Sequence, residues 1–384
     1  MKALTKPFHL RSLQIGNRIV MAPMTRSKSK RGIPGHDVAQ YYQKRAKGGV
    51  GLIITEGTVI GHKASNGYPD VPHFYGEEAL KGWKKVVEEV HQAGGKIFPQ
   101  IWHVGSIRQT HHHCHNEGVD NPGEQSCYHA KVPGYAPSPV PHPYIVEAAE
   151  IPHEMTLKDI EEVIQAFAKA ALEAKKLGFD GVEIHGAHGY LIDQFFWDRT
   201  NIRKDQYGGK SIAQRVRFGV EVVQAVRNAV GSDFPIDFRF SQWKLGDYKA
   251  KLAHSPLELE SFLEPLAKAG VDLFHCSTRR FWEPEFAGSS LNLAGWTKKI
   301  TGKATITVGS VGLDNDFVTT MSQHFSPSQS QDKMNILLHS FQNGEFDLVA
   351  VGRSLLADPL WFQKVVEGRF DEIVLFSEEA LKKL

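Results

Sequence analysis

The stretch HGAHGY at 185–190 places two histidines and a tyrosine within six residues, a set of side chains able to assist a conjugate addition. His185 and His188 are three residues apart. On a straight strand that spacing sends side chains to opposite faces, but Gly186 and Gly189 let the chain curl so that both rings can enter one pocket. Two imidazole N–H donors can hold a carbonyl or nitro oxygen and stabilise the negative charge that grows on it. Tyr190 follows within reach, and a phenol with a pKa of roughly 10 stays protonated at neutral pH and can deliver a proton. The same residues also fit a pair of loop histidines beside a packed tyrosine.

Other polar residues recur where apolar runs stop. Arg239 lies in IDFRFSQ, whose alternation aims its side chain at the interior. A buried arginine needs an anion, either a ligand such as a reduced flavin or an acidic neighbour. Gly309-Ser310 and Gly352-Arg353 end two late runs, where bare backbone N–H groups and a guanidinium can take a phosphate. His111, His112, His113, Cys114 and His115, with Cys127 and His129 beyond, raise a zinc alternative: a metal-dependent barrel hydrolase. Adjacent ligands cannot all reach one tetrahedral ion, and no CxxC or HxxxH pair occurs there, so a solvated loop is expected and no metal site is assigned.

These residues need a frame, and the chain supplies eight short β-branched runs. They are 18–24, 50–58, 96–103, 181–188, 236–242, 273–278, 304–310 and 347–353. Helical patterns separate them, among them 77–93, 157–177, 213–230, 256–269 and 334–341, several closed by glycine. Eight alternating units predict an α/β fold, a (β/α)8 TIM barrel, with working residues at the C-terminal ends of its strands. The opening FHLRSLQIGNR predicts a hairpin turning at Gly16 and Asn17 that plugs the barrel floor. Residues 104–154, rich in Pro, Gly and His, are too long for an ordinary connection and are expected to cap the active face as an insertion after strand 3. The polar stretch 322–332 is expected to be an exposed loop, and one domain accounts for 1–384.

Composition narrows the partners. Lys plus Arg number 45 against 43 acidic residues, so no broad positive field attracts nucleic acid or an anionic membrane. A hydrophobic content of 41% suits a large buried core. The N-terminal residues lack a signal-like apolar run, and no stretch is long enough to span a bilayer, so a cytoplasmic protein acting on small molecules is expected. Three cysteines, Cys114, Cys127 and Cys276, are too few for a disulfide framework in this length. No interface signal separates a monomer from a homodimer.

Longer motifs carry a resemblance. RIVMAPMTR at 18–26, GGVGLIITEG at 48–57, GGKIFPQIWHVG at 94–105, GFDGVEIHGAHGYLIDQFF at 178–196, TNIRKDQYGG at 200–209, VGSVG at 308–312 and DLVAVGR at 347–353 resemble the Old Yellow Enzyme family of flavin-dependent reductases over nearly the whole chain. The resemblance implies a non-covalently bound FMN across the top of the barrel, with Pro23, Met24, Thr25, Gly57, Gln100 and Arg239 around its ring and Gly309, Ser310, Gly352 and Arg353 at its phosphate. It also implies reduction of electron-poor alkenes in a ping-pong cycle driven by NADPH or NADH. Thr25, Trp102, His185, His188 and Tyr190 would line the substrate site, the histidines holding the activating oxygen and Tyr190 protonating the α-carbon. Three departures bear on substrate range: Ser106 where the family usually has arginine, Trp197-Asp198 for Ser-Pro, and RFSQWKLGDY at 239–248 in place of RxSP. Other flavin barrels, of the dienoyl-CoA or trimethylamine type, carry cluster-binding cysteines that these three scattered ones do not match.

Overall fold

The computed structural model describes residues 2–109, 132–143, 149–313 and 331–384. The opening hairpin pairs β1 (Phe8–Leu10) with β2 (Leu13–Ile15) antiparallel. Its turn falls at Arg11-Ser12 and not at Gly16-Asn17: Leu10 pairs with Leu13, and Arg11 takes the left-handed φ of 53° that a tight two-residue turn demands. Gly16 instead lies between β2 and the first barrel strand, and its φ is not positive.

Eight parallel strands close the barrel: β3 (Ile19–Met21), β4 (Leu52–Val59), β5 (Lys96–Trp102), β8 (Val182–His185), β9 (Ile236–Ser241), β10 (Leu273–Ser277), β11 (Ala304–Val308) and β12 (Leu348–Val351). Each lies inside the run expected for it or within one residue of it. They read as continuous hydrophobic runs because both faces are covered, one by helices and one by the barrel interior. Outward residues such as Ile53, Ile97, Val182 and Phe238 share one core with helix residues such as Val86, Phe167 and Val222. Inward residues Val20, Leu52, Phe98, Ile306 and Leu348 form a second core, and Phe8, Leu13 and Ile15 of the hairpin join it, so the hairpin does plug the floor.

Helices α1 (His36–Lys47), α2 (Glu77–Gln92), α3 (Leu157–Leu177), α4 (Leu191–Phe196), α5 (Ile212–Arg215), α6 (Arg217–Val230), α7 (Pro256–Ala269) and α8 (Leu293–Thr301) follow the strands. The pattern at 213–230 is two helices, broken at Val216. Thr156 and Asp159 form a capping box that starts α3, and Gly178, at φ 88°, ends it. The helix expected at 334–341 runs Gln331–Gln342. The last two residues of the loop expected at 322–332 therefore begin that helix, and the rest of that loop lies outside the described residues. Within 104–154, β6 (Tyr135–Ala136) pairs with β7 (His153–Glu154), and buried Arg108 ties the segment's root to the Asn66 and Val132 carbonyls. The tract His111–His115, Cys127 and His129, which carried the zinc alternative, lies outside the described residues. Among the described residues, no helix is long and apolar enough to cross a membrane.

Asp272, just before β10, ties the floor together. Its carboxylate accepts from Arg11 of the hairpin at 2.8 Å, from Arg227 of α6, and from the Ile236 N–H at 3.1 Å. Asp272→Ala would leave a partly buried guanidinium and a buried N–H without their acceptor, at an expected cost of about 3 kcal/mol. Urea unfolding followed by circular dichroism measures it, and a loss well below about 1 kcal/mol would contradict this role.

Candidate active site

The strand ends deliver the site in two layers set by register. Gln100, Glu183 and Asp237 lie side by side on β5, β8 and β9. One step nearer the mouth, His185, Arg239 and His275 lie side by side on β8, β9 and β10. Beyond His185 the chain turns: His188 takes φ 65° and Gly189 φ 81°. A Cβ on Gly186 would stand 2.5 Å from the Phe238 ring, so only glycine fits there. The curl expected from the sequence is thus present, and it brings the His185 and His188 ring centroids to 5.1 Å at 84°. Tyr190 sits 5.1 Å from His185 and 4.8 Å from Trp102, which also stacks beside His185.

A solvent-open cleft of ≈ 940 Å³ adjoins these rings. Pro23, Met24, His188, Arg239, Gly309, Ser310, Gly352 and Arg353 all line it. Gly309, at φ 136°, passes so close to Thr278 that a Cβ would stand 2.7 Å from its carbonyl oxygen. Arg353 donates to Ser310 Oγ at 3.3 Å, joining the two late strand ends. Around Gly352, by contrast, a Cβ would meet only Met24 Sδ at 3.4 Å and Ala22 Cβ at 3.9 Å, ordinary contacts. No protein neighbour therefore demands glycine at 352, and its bare backbone leaves room for a ligand's close approach.

The remaining sequence-derived residues stand around this cleft in other roles. Thr25 is exposed between Met24, which lines the cleft, and buried Arg26. Gly57 makes room for Trp102, whose ring would lie 2.6 Å from an added Cβ. Gln100 donates its side-chain amide to Glu183 at 2.6 Å. Of the three departures, the strand-end stretch reaches the cleft through Trp243, Leu245 and Tyr248. Trp197 and Asp198 line a separate groove with Lys210 and Arg215, and buried Ser106 donates its backbone N–H to Gln194.

Charge in the deeper layers is organised around Arg239, which is buried and has an Nε without a hydrogen-bond partner. Beneath it Glu183 accepts from His275 Nδ1 at 2.5 Å and from Gln100. Burial opposes the Glu183 charge, but His275 and Arg239 outweigh it and hold its pKa low. Burial and the neighbouring Glu183 push Asp237 well above the usual carboxylate range. Glu183, Asp237 and His275 place ligand atoms within 4.8 Å of one another, the one such cluster among the described residues. With the Arg239 guanidinium beside it, a proton suits this cluster better than a divalent cation. Burial, then Arg239, lowers His185 to about 3 and His188 well below its usual value, so both imidazoles are neutral at physiological pH.

An inward arginine beneath a glycine-lined cleft, with His188 in its wall and the His185 and Tyr190 rings packed beside it, can receive an anionic ligand. The family model for NADH:flavin oxidoreductase / NADH oxidase matches residues 3–372. This chain belongs to the Old Yellow Enzyme family. It is similar to an NADH oxidase of Thermoanaerobacter brockii, 36% identical over 371 residues that make up 94% of this chain and 50% of that protein. The chain thus spans about half the length of that relative. It is also similar to putative 12-oxophytodienoate reductase 2 of Oryza sativa subsp. japonica, 32% identical over 356 residues, 93% of this chain and 85% of the relative. Among solved structures, morphinone reductase in complex with tetrahydroNAD superposes with a TM-score of 0.76 at 25% identity, covering 98% of this chain and 93% of that one.

Several residues of this Old Yellow Enzyme site escaped sequence reasoning. Tyr68 stacks on Trp102 and its hydroxyl lies 3.1 Å from that of Tyr190. It sits in the connection after β4, where nothing in the local pattern marks function. Trp243 stacks on His188 at 4.5 Å, and Ser277 meets the same ring; the unusual QWK after the arginine strand was the available signal. Lys244 and Asp193 form a fully buried ion pair at 2.6 Å that joins the β9 end to α4.

Glu56 anchors the strand end carrying Pro23–Thr25. Its Oε2 accepts from the Arg26 N–H at 2.7 Å and the Ser27 N–H at 3.1 Å, while Oε1 is buried without a partner. Burial raises its pKa to about 7 against the lowering effect of those bonds. A carboxyl whose folded pKa is raised stabilises the fold below its unfolded value, and that contribution is lost as pH rises through about 7. Glu56→Gln is therefore expected to gain Tm relative to the parent between pH 5 and pH 8. A Tm difference that stays constant over that range would show that Glu56 does not titrate there.

Proposed function

We propose that this protein is an FMN-dependent NAD(P)H oxidoreductase that reduces the C=C bond of α,β-unsaturated carbonyl or nitro compounds. The observation that carries this reading is the convergence of the His185 and Tyr190 rings beside His188, which lines a cleft together with Arg239. The donor set fits a flavin mononucleotide. Pro23, Met24, Thr25, Gly57, Gln100 and Arg239 would surround its ring, and Gly309, Ser310, Gly352 and Arg353 its phosphate, without a covalent bond. Arg239, already balanced by Glu183, has an Nε still to satisfy and offers a fixed positive charge to an anionic ring. When bound and reduced by NAD(P)H, FMN supplies hydride to the alkene.

The protein's own share is positioning and proton delivery. Neutral His185 and His188 donate to the substrate's activating oxygen and stabilise the charge that develops there. Tyr190 delivers the proton to the α-carbon, and its bond to Tyr68 orients the hydroxyl. Trp102 and Tyr68 form an aromatic wall that shields this hydroxyl pair.

Anaerobic spectra test the proposal. The purified protein should show a flavin absorbance that bleaches with NADPH and returns with 2-cyclohexenone, and heat denaturation should release the flavin. In Tyr190→Phe the bleaching should proceed nearly as in the parent while the return slows about 100-fold or more for substrates needing enzymic protonation. A colourless protein that takes up no added FMN would overturn the cofactor, and equal slowing of both half-reactions would overturn the role of Tyr190.

A further inference from the structure

His188 is held on every side the protein can reach. Its backbone N–H donates to Ser241 Oγ at 3.0 Å, and that hydroxyl donates to the Trp243 carbonyl at 2.7 Å. Trp243 stacks on the ring at 4.5 Å and 27°, and its indole N–H donates to the Ser277 carbonyl at 3.1 Å. The buried pair of Lys244 and Asp193 secures both loops, because Asp193 also accepts from the Gly189 N–H at 2.7 Å. These contacts hold His188 from its protein-facing side.

The remaining freedom is which nitrogen bears the proton. Ser277 Oγ lies 2.8 Å from His188 Nε2 and accepts a long bond, 3.4 Å, from Arg239 Nη2. A guanidinium only donates, so the single hydroxyl proton of Ser277 is left for Nε2. Were Nε2 the donor, the hydroxyl would accept twice and its own proton would find no acceptor among the described residues, only whatever fills the cleft that Ser277 also lines. His188 Nε2 is therefore the acceptor and Nδ1 bears the hydrogen. Nδ1 has no bond to any described residue, and His188 lines the cleft. In His185 the assignment is reversed: Nδ1 accepts from the Ala187 N–H at 3.3 Å, which places the proton on Nε2.

We propose that Ser277 is a positioning residue that fixes His188 as its Nδ1–H tautomer, with Trp243 as the clamp on the ring. His185 and His188 then hold opposite tautomers and present two N–H donors, Nε2–H and Nδ1–H, to one oxygen. Such a pair has no acceptor to offer the ligand. This inference rests on the reading of the pocket given above.

The test uses the FMN-loaded enzyme with 15N-labelled histidine. Two-bond 15N–1H correlation spectra, assigned by the signals lost in His188→Asn, report which ring nitrogen is protonated. The parent should show Nδ1–H at His188, Ser277→Ala a mixed or Nε2–H form, and Ser277→Thr, which restores the hydroxyl, the parent pattern. Spectral titration with 4-hydroxybenzaldehyde, an enolate mimic, should show affinity falling about tenfold in Ser277→Ala and recovering in Ser277→Thr, the size expected for one hydrogen bond. An Nε2–H signal in the parent, or a tautomer unmoved in Ser277→Ala, overturns the proposal. A parent that keeps Nδ1–H yet binds no phenol supports the tautomer assignment and overturns the reading of the pocket instead.

Discussion

A positive charge that cannot leave the barrel interior organises this site. Arg239 lies on β9 with its guanidinium buried, and every neighbouring strand answers it. β8 contributes Glu183, β9 itself Asp237, and β10 His275 and the Ser277 hydroxyl. Parallel register is what makes this possible, since it sets residues of adjacent strands at matched heights and so builds polar layers across the mouth. A shift of one residue in β9 would send Arg239 to the helix-covered face and leave the acids without their cation.

The counter-charges are not simply added until the sum is zero. Two carboxyls side by side in a dry interior cannot both ionise cheaply, and Glu183, which accepts from His275 and Gln100, is held low while Asp237 is pushed up. The result is one cation above one anion, with an unsatisfied Nε left on Arg239. That arrangement suits an anionic ring in the cleft. It also keeps His185 and His188 neutral, because protonating either would add charge beside Arg239 in a buried space. Neutral imidazoles are useful as oriented donors only if their tautomers are fixed, and the contacts to Ala187 and Ser277 supply that second condition.

The loop after β9 adapts this common frame. Where the family usually has proline, this chain continues as Gln242-Trp243-Lys244, and the buried lysine draws the loop onto α4 through Asp193. That ion pair sets Trp243 flat on His188. Buried pairs of this kind specify geometry more than they add stability, and here the specified geometry is the wall of the cleft.

How much of this was legible in the sequence follows from the range of the physics involved. Strand runs, helix stops at glycine and the inward aim of Arg239 are local periodicities, and all appear in the structure close to the expected residues. HGAHGY announced its curl because glycine permits a turn that other residues resist, and the strand-end glycines marked the cleft. The hairpin turn was misplaced because Gly16-Asn17 is the stronger local turn signal, whereas pairing of Leu10 with Leu13, fixed by packing in the barrel floor, puts it at Arg11-Ser12. That Gly57 also accommodates Trp102 could not be read locally, because it is a steric demand from another strand. By itself the sequence determined the barrel, its family and the chemical types at its mouth. Only the tertiary structure decided which carboxyl is held low, which tautomer each histidine takes and which aromatic rings close the wall, because those depend on distances between strands far apart in the chain.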